Sequence, residues 1–304
     1  MEYKTLDEVL ERAISLPRKR KMVIANANDS HSIELASEAK KMGIADAILI
    51  GNPEIISSLL TDAGKSADSY EILSSDTPEQ SAKMAVRVIR EGKADFLVKG
   101  MLETSQMLRP VVNKETGLGT GRVMSHLSVN ELPSYHKLIT ITDGGMFTYP
   151  TVNQKKEIVK NAVDAFHALG YELPKVACLT AVEVVNPKMP ETVEAREIEE
   201  CAARGELGTC YVKGPISYDI AMNAEIAAYK KFDGEHCGDF DILLVPNIHT
   251  GNILGKSWAI SAGGTFAGVV VGVKVPIVIT SRASSSQEKL RALALAVLLS
   301  GMYA

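Results

Sequence analysis

Short apolar runs alternate with amphipathic stretches of helical period along almost the whole chain. The run "KMVIANA" at Lys21–Ala27, for example, is followed by "SHSIELASEAKKMG" at Ser30–Gly43, in which apolar residues recur with the period of a helix. This alternation is typical of parallel strands that are joined by crossover helices. It predicts an α/β fold with parallel-rich sheets.

The predicted elements fall into two series. The first has strands in "KMVIANA", "DAILIG", "EILSS" and "ADFLVKG", and helices that begin at Asp29 or Ser30, at Pro53 and at Pro78. The second begins with the strand "KLITITDGG", which ends at Asp143, and continues with strands in "KVACLTAV" and "FDILLVP" and at 267–271 and 276–279. Helices are predicted over 151–169, 191–204, 217–231 and 251–262.

A last helix, predicted over Ser286–Leu299, has no obvious place in the second series. We expect it to return to the first series. The predicted domains are therefore a discontinuous first α/β domain of residues 1–141 and 281–304, and a second α/β domain of residues 142–280.

The composition of the chain favours some classes of protein and argues against others. The chain has 304 residues, of which 46% are hydrophobic and 23% charged, as in ordinary globular proteins. No apolar run approaches the roughly 20 residues that cross a bilayer, and the N-terminus is amphipathic, so we expect a cytoplasmic protein that does not bind membranes. Lys and Arg total 33 against 37 acidic residues, which argues against nucleic acid as a partner.

The cysteines and histidines give no sign of a metal centre. The four cysteines form no CxxC pair, the six histidines are scattered, and no HExxH occurs. We expect reduced cysteines and no bound metal.

Cations recur where the predicted strands end. In parallel sheets ligands bind outside the carboxyl ends of strands, and turns there need Gly, Ser, Asn or Asp but no cation. The need for turns and helix caps explains the polar and glycine residues of each loop taken alone. Together they favour an anionic, phosphorylated substrate, because Arg and Lys bind phosphate oxygens. The cations in these loops are Lys99, Arg109, Arg122, Lys213, Lys256 and Arg282.

Two glycine-rich nucleotide motifs are excluded. The first strand is followed by "NANDSHS" and not by GxGxxG, so the dinucleotide fingerprint is absent where it should occur. The stretch "GLGTGR" at Gly117 lacks the GKS or GKT ending of a phosphate-binding loop.

Several long segments resemble one family. These are "KGMLETSQMLRPVVNKETGLGTGRVMSHLSV", "AVEVVNPKMPETVEA", "DFDILLVPNIHTGNILGKS" and "VPIVITSRASSSQEKLRALALA". In them the chain is similar to the phosphate acetyltransferase and phosphate butyryltransferase family, and closest to the butyryl branch, from about Lys21 onward. The resemblance implies two α/β domains with an interdomain cleft, a fold like that of isocitrate dehydrogenase, and a homodimer or higher homo-oligomer.

The resemblance also implies the reaction. An acyl group is transferred reversibly from acyl-CoA to inorganic phosphate, which gives acyl phosphate and CoA. Attack by phosphate turns the thioester carbonyl into an oxyanion, so the site must supply hydrogen-bond donors and positive charge. CoA and phosphate are substrates, and no metal or organic cofactor is implied.

The resemblance assigns three catalytic candidates. Arg282 would hold the phosphate, and Ser281 would donate to the oxyanion or orient the sulfur. The acetyltransferase branch has an aspartate seven residues after that serine as general base, where this chain has Glu288. Glu288 is one methylene longer but could still take the thiol proton; alternatively, it is an ordinary carboxylate in the first turn of the last helix.

Other matching positions are candidates for binding phosphate or CoA, and among them Asn252 would also cap a helix. Two departures from the family pattern weaken the CoA assignments: Glu103 stands where the family often has histidine, and Phe147 where it has asparagine. The candidates are Lys99, Gly100, Thr104, Arg109, Arg122, Asp143, Gly214, Asp219, Asn252 and Lys256.

Three alternatives follow from this sequence. A phosphate acetyltransferase is one, because a pocket discriminates one methylene by only about 1–3 kcal/mol and the acyl chain stays open. A non-catalytic CoA-ester or phosphate-binding protein that keeps the family cleft is another. A metal- and nicotinamide-dependent dehydrogenase of similar fold would need a cluster of aspartates, which the sequence lacks.

Overall fold

The computed structural model describes residues 2–280 and 284–303. Its strands are β1 Arg20–Ala25, β2 Ala45–Gly51, β3 Glu71–Ser74, β4 Phe96–Lys99, β5 Ser125–Glu131, β6 Ile139–Thr142, β7 Lys175–Leu179, β8 Tyr211–Ile216, β9 Ile242–Leu244, β10 Thr265–Val271 and β11 Ile277–Val278. Its helices are α1 Leu6–Ile14, α2 Ser30–Lys41, α3 Pro53–Asp62, α4 Pro78–Arg90, α5 Thr104–Val111, α6 Val152–Ala168, α7 Pro190–Ala203, α8 Tyr218–Met222, α9 Ala224–Tyr229, α10 Ile248–Ser261 and α11 Ser286–Leu299.

The chain forms two compact units. We call the unit formed mainly by the two ends of the sequence, Asp7–Arg122 and Ala267–Ala304, the outer unit, and the unit formed mainly by the middle of the sequence, Met1–Leu6 and Val123–Phe266, the central unit. These units divide the chain at 122/123 and 266/267, whereas the sequence prediction divides it at 141/142 and 280/281; the predicted domain limits stay a prediction. In the outer unit, α11 packs against α2.

The outer unit is built on strands in the order β3-β2-β1-β4-β11-β10. All neighbouring pairs are parallel except β10 with β11, which is antiparallel. The inner strands are almost wholly buried, with Met22, Ile24 and Leu49 at 0% exposure and Leu97 at 1%. A strand that is covered on both faces needs such continuous apolar sequence, which explains the signal seen in "KMVIANA".

The central unit is built on strands in the order β5-β6-β9-β7-β8. β5 is antiparallel to β6, and the other neighbouring pairs are parallel. Its core gathers around the buried Phe240 and Trp258. Because β6, β9, β7 and β8 run the same way, the loops that follow them lie along one edge of the sheet.

The α/β class is confirmed, and most predicted elements are present. One helix prediction is wrong: residues 217–231 form α8 and α9, since the extended Asn223 interrupts them and caps α9 with its side chain. The prediction did not include α5 or β5. β5 alternates buried and half-buried residues in a polar sequence, and α5 contains Pro110, so neither carries a strong apolar signal.

Two further findings bear on the sequence analysis. The four cysteines are free thiols, and Cys178 and Cys201 are buried. In the part of the chain that the structure describes, no helix is both long enough and apolar enough to span a bilayer.

A buried ion cluster lies at the amino ends of the parallel strands of the central unit. The Nζ atom of Lys137, a residue 1% exposed, lies 2.7 Å from Oδ1 of Asp241 and 2.9 Å from Oδ1 of Asp239. Burial raises the pKa of Asp241, with Lys137 opposing the shift, and Lys175 donates its backbone N–H to the same carboxylate at 2.8 Å. The cluster therefore ties together the starts of β6, β7 and β9.

Lys137→Met should lower the free energy of unfolding by about 3–5 kcal/mol, because it leaves the Asp241 carboxylate buried without its cation. Urea denaturation measures the change. The double variant Lys137→Met/Asp241→Asn removes both charges and should recover part of the loss. If the double variant is as unstable as the sum of both single variants, the two charges are not coupled.

Candidate functional site

A pocket of about 330 Å³ lies in the outer unit at the carboxyl ends of β1 and β4. The chain passes from β1 to β2 on one side and returns from β3 to β4 on the other, so the strand order reverses between β1 and β4. Such a reversal leaves a crevice in which α/β proteins commonly bind ligands. The pocket is lined by Ile24, Asp29, His31, Ser32, Leu35, Val98, Lys99, Gly100, Met101, Thr280 and Lys289.

Asparagine side chains tie the ends of these strands together. Asn26, at φ 60, directly follows β1 and donates from its side chain to the carbonyl oxygen of Met101. Asn28 donates to Oδ1 of Asn26 at 2.9 Å and accepts the backbone N–H of Asn52 at 2.8 Å. Asn tolerates a positive φ better than most residues, so "NAN" forms a turn that also joins β1, β2 and β4.

Gly100 lets β4 end directly against the end of β1. Its N–H donates to the carbonyl oxygen of Ala25 at 3.0 Å, and the next N–H, of Met101, donates to that of Asn26 at 2.8 Å. A Cβ on Gly100 would lie 2.5 Å from the Asn26 carbonyl oxygen. Only glycine therefore fits here without a backbone shift.

The polar groups of the pocket favour an anion. Lys99, partly buried, donates from Nζ to the carbonyl oxygen of Leu102 at 3.0 Å, and Lys289 enters from α11. The one carboxylate in the lining, Asp29, caps α2 by accepting the N–H of Ser32 at 3.0 Å and its hydroxyl at 2.6 Å. Two cations thus face the pocket, while the carboxylate is engaged in a cap.

Glu288 takes part in a capping box at the start of α11. Its Oε2 accepts the backbone N–H of Ser285 at 2.8 Å, and Oγ of Ser285 accepts the N–H of Glu288 at 3.2 Å. Ser281 and Arg282 lie outside the described residues. Thr280, the last described residue before them, lines the pocket.

Arg109 lies elsewhere in the outer unit, on α5. It lines a groove of about 850 Å³ between α4 and α5, which Lys99 does not line. Lys83, Arg87 and Arg90 of α4 also line this groove, together with two carboxylates, Glu79 and Glu91. Glu91 pairs with Lys93 at 2.7 Å, so the groove has a surplus of positive charge.

Thr104 and Arg122 are exposed residues of the outer unit. Thr104 is the first residue of α5, whose N-cap is Glu103; the Glu103 N–H donates to Oε1 of Gln106 at 2.9 Å. Glu103 therefore has a capping position here, where the family often has histidine. Arg122 donates its backbone N–H to Oγ1 of Thr120 at 3.4 Å.

In the central unit, Asp143 organises the loop that follows β6. It is 2% exposed, and its oxygens accept the N–H groups of Gly145, Met146 and Phe147, each at 3.0 Å. Oδ1 also accepts the N–H of His126 at 3.2 Å. The structure thus gives Asp143 four backbone partners, and its contact with substrate stays a prediction.

The helix α10 begins against this loop. A Cβ on Gly251 would lie 2.6 Å from Cα of Gly144, so the loop and the helix backbone are in close contact. Asn252 and Lys256 are exposed, one turn apart on α10. The prediction that Asn252 caps a helix is wrong, because α10 begins four residues earlier and its cap is Asn247, which accepts the N–H of Thr250 at 3.1 Å.

The stretch "VKGPISYD" divides into a strand and a polar cluster. Gly214 is buried inside β8, and Asp219 lies in the first turn of α8. Hydrogen bonds from Lys230, at 2.8 Å, and from the Ser217 hydroxyl, at 2.6 Å, lower the pKa of Asp219 to about 2. The Ser217 hydroxyl also lies within hydrogen-bond distance of Glu183, and the two carboxylates share its one proton, so Asp219 belongs to a network of charged side chains.

The sequence analysis missed two residues at these strand ends. His126, half-buried beside Gly145, has a lowered pKa because burial outweighs the charge of Asp143, so its ring is neutral at neutral pH. A single histidine in a polar strand gives no signal for this. Lys289 was missed because a lysine inside a predicted helix is ordinarily a surface residue.

No metal site is seen in residues 2–280 and 284–303, where no group of three or more His, Cys, Asp or Glu side chains could hold an ion.

Fold and site together define an α/β protein that has a pocket lined by two lysines where its strand order reverses. Comparison with known proteins specifies the family. The family model described as "Phosphate acetyl/butaryl transferase" matches residues 71–297, and the chain belongs to this family.

Individual relatives support the family assignment. The phosphate butyryltransferase of Clostridium acetobutylicum is 41% identical, over 98% of this chain and 99% of its own. The phosphate acetyltransferase of Thermotoga maritima is 34% identical, over 94% of this chain and 98% of its own. The crystal structure of a branched-chain phosphotransacylase from Enterococcus faecalis superposes with a TM-score of 0.80 at 31% identity, over 92% of this chain and 99% of that one.

Gly100→Ala should lower the free energy of unfolding by about 1–3 kcal/mol, since the new methyl group must push apart the ends of β1 and β4. Thermal or urea unfolding measures this. Gly119→Ala is the matched control: it lies in the same unit, and its Cβ would meet nothing within 4 Å. Equal stability of the two variants would contradict the close approach.

Proposed function

We propose that this protein catalyses the reversible transfer of a short-chain acyl group, butyryl or similar, from acyl-CoA to inorganic phosphate. The products are acyl phosphate and CoA. The single observation that supports this most is the pocket at the reversal of strand order, where two lysines and an engaged carboxylate leave positive charge for an anion. The family assignment is consistent with it.

The reaction proceeds by direct attack in a ternary complex. A phosphate oxygen forms a bond to the thioester carbonyl carbon, whose oxygen becomes an oxyanion. The carbon–sulfur bond then breaks, and CoA leaves as a thiolate that is protonated. In the reverse direction a base takes the thiol proton, and the sulfur attacks the acyl phosphate. Positioning two anionic substrates and stabilising the oxyanion are the main demands on the protein.

Residues of the outer unit supply these functions in our proposal. Lys99 holds phosphate in the pocket, and the close approach of Gly100 to the end of β1 positions it. Following the family resemblance, Arg282 binds the same anion and Ser281 stabilises the oxyanion, while Glu288 exchanges the proton with the thiol. Arg109 and its neighbours in the α4–α5 groove bind the phosphate groups of CoA, which carry several negative charges. Thr104 and Arg122 flank these substrates.

In the central unit, exposed and buried candidates have different roles. Asn252 and Lys256, exposed one turn apart, contact CoA directly in our proposal. Asp143, Gly214 and Asp219 act through the backbone and side chains they hold in place, because their polar atoms are engaged or buried. No metal or organic cofactor takes part in this proposal.

The state of assembly rests on the family resemblance, and the location rests on the sequence, in which no apolar run approaches the length that crosses a bilayer. We propose a homodimer or a higher homo-oligomer, located in the cytoplasm. A pocket discriminates one methylene by only about 1–3 kcal/mol, so acyl groups of two to five carbons are substrates at different rates in this proposal.

Free thiol should appear when the protein is mixed with butyryl-CoA and phosphate, and not when phosphate is omitted. A colorimetric thiol assay with acyl-CoA esters of two to five carbons measures the rates and ranks the acyl groups. Binding of acyl-CoA without phosphate-dependent thiol release would contradict the proposed function and point to a binding protein.

Variants at the start of α11 separate proton transfer from helix capping. Glu288→Gln keeps the capping box, because glutamine can accept the same N–H, but it removes the base. If Glu288 exchanges the proton, the rate should fall by about 10²–10⁴-fold with little change in unfolding temperature. Steady-state thiol release and thermal unfolding measure both.

Ser285→Ala is the matched control for Glu288→Gln. It breaks the capping box, keeps the carboxylate, and should cost about 0.5–2 kcal/mol of stability while much of the rate remains. A full rate in Glu288→Gln would show that Glu288 only caps the helix.

A further inference from the structure

We infer that Lys289 binds the phosphoryl group of the substrate, which is inorganic phosphate in one direction and acyl phosphate in the other. This inference rests on the proposed function and adds a residue that neither the sequence analysis nor the family resemblance assigns. It places a second lysine, from α11, opposite the end of β4 in the same pocket.

The burial of Lys289 carries the argument. The residue is 9% exposed, although lysine is among the residue types that proteins bury least. In residues 2–280 and 284–303 its ammonium group has no hydrogen-bond or ion-pair partner. The ammonium nitrogen is not among the buried, unpartnered atoms of the described residues, so the apolar stem is buried while the charged end reaches the water of the pocket, where a bound anion can pair with it.

The carboxylates around Lys289 do not neutralise it. Glu34 and Glu38 of α2 line a smaller adjoining pocket with Lys289. Glu34 lies 3.9 Å from Nδ1 of His31, and Glu38 lies 3.7 Å from Nζ of Lys41. Neither comes within 4.0 Å of the Lys289 ammonium. The nearest remaining carboxylate in the main pocket, Asp29, is held by its cap on α2.

The two lysines of the pocket differ in a way that suits a phosphoryl group. Lys99 is held by carbonyl oxygens, at 3.0 Å for Leu102 and 3.4 Å for Gly100, whereas Lys289 has its hydrogen-bond donors available. A phosphoryl group carries about 1.5 to 2 negative charges at pH 7, which two ammonium groups can balance.

The volume of the pocket favours inorganic phosphate over the nucleotide end of CoA. At about 330 Å³ it lies near the lower limit of ligand pockets, which is about 300 Å³. That space fits a phosphoryl group with a short acyl chain. The phosphates of CoA share the same chemistry, so the experiment must separate these two sources.

Lys289→Met is the test variant, because methionine keeps an unbranched apolar stem of similar length but removes the charge. We expect the KM for phosphate to rise about 10- to 100-fold while the KM for butyryl-CoA stays the same. Lys289→Arg keeps a cation and should restore much of the phosphate affinity. Lys65→Met, an exposed lysine of the same unit, is the matched control and should change neither constant.

Thermal unfolding gives a readout that does not require activity. Phosphate should raise the unfolding temperature of the wild type, because a ligand that binds only the folded state stabilises it. Lys289→Met should lose this rise. Without phosphate the variant should be about as stable as the wild type, since methionine keeps the buried stem and the ammonium has no partner in the described residues.

The outcomes separate this inference from the proposed function. Absence of phosphate-dependent thiol release in the wild type overturns the proposed function, while the phosphate-dependent rise in unfolding temperature still tests Lys289. An active wild type whose Lys289→Met variant keeps its KM for phosphate overturns the role of Lys289. A rise in the KM for butyryl-CoA alone also overturns it, because Lys289 would then serve the phosphates of CoA.

Discussion

The site depends on one close contact, between the end of β4 and the end of β1. Gly100 lies against the backbone of Ala25 and Asn26, with no room for a side chain between them. This contact holds the two strands in register at the point where the strand order reverses. It also directs Lys99, the preceding residue, toward the pocket. The pocket, its cations and the proposed chemistry follow from that local geometry.

Two lysines with low exposure, Lys137 and Lys289, differ in whether they have a partner in the protein. Lys137, at the amino ends of the central unit's strands, is neutralised by Asp239 and Asp241 and stabilises the fold. Lys289 is also largely buried, but its ammonium reaches the pocket and has no hydrogen-bond or ion-pair partner in the described residues. A cation enclosed by protein is paired by fixed carboxylates, whereas a cation that faces a pocket can be paired by a substrate anion. The positive charge is thus kept for the reaction.

Several polar residues at strand ends hold loops in place. Asp143 uses both oxygens on backbone N–H groups, and Glu288 closes a capping box. Such engagement does not exclude a role in the reaction, because a loop that carries substrate must be held in one conformation. It does change which variants are informative: Glu288→Gln separates the two roles, whereas Glu288→Ala would remove both.

The sequence by itself determined the α/β class, most of the elements, the family and the strand-end loops that bear the cations. These features depend on patterns within short stretches of the sequence. The patterns are the apolar periodicity, the helix caps such as Asp29 and Thr77, and the long segments that resemble the family. Tertiary structure decided that Asn223 breaks a helix, that Arg109 and Lys99 line different pockets, and that Lys289 is buried. Burial and pairing depend on which side chains, distant in the sequence, are brought together by packing, and periodicity along one segment does not contain that information.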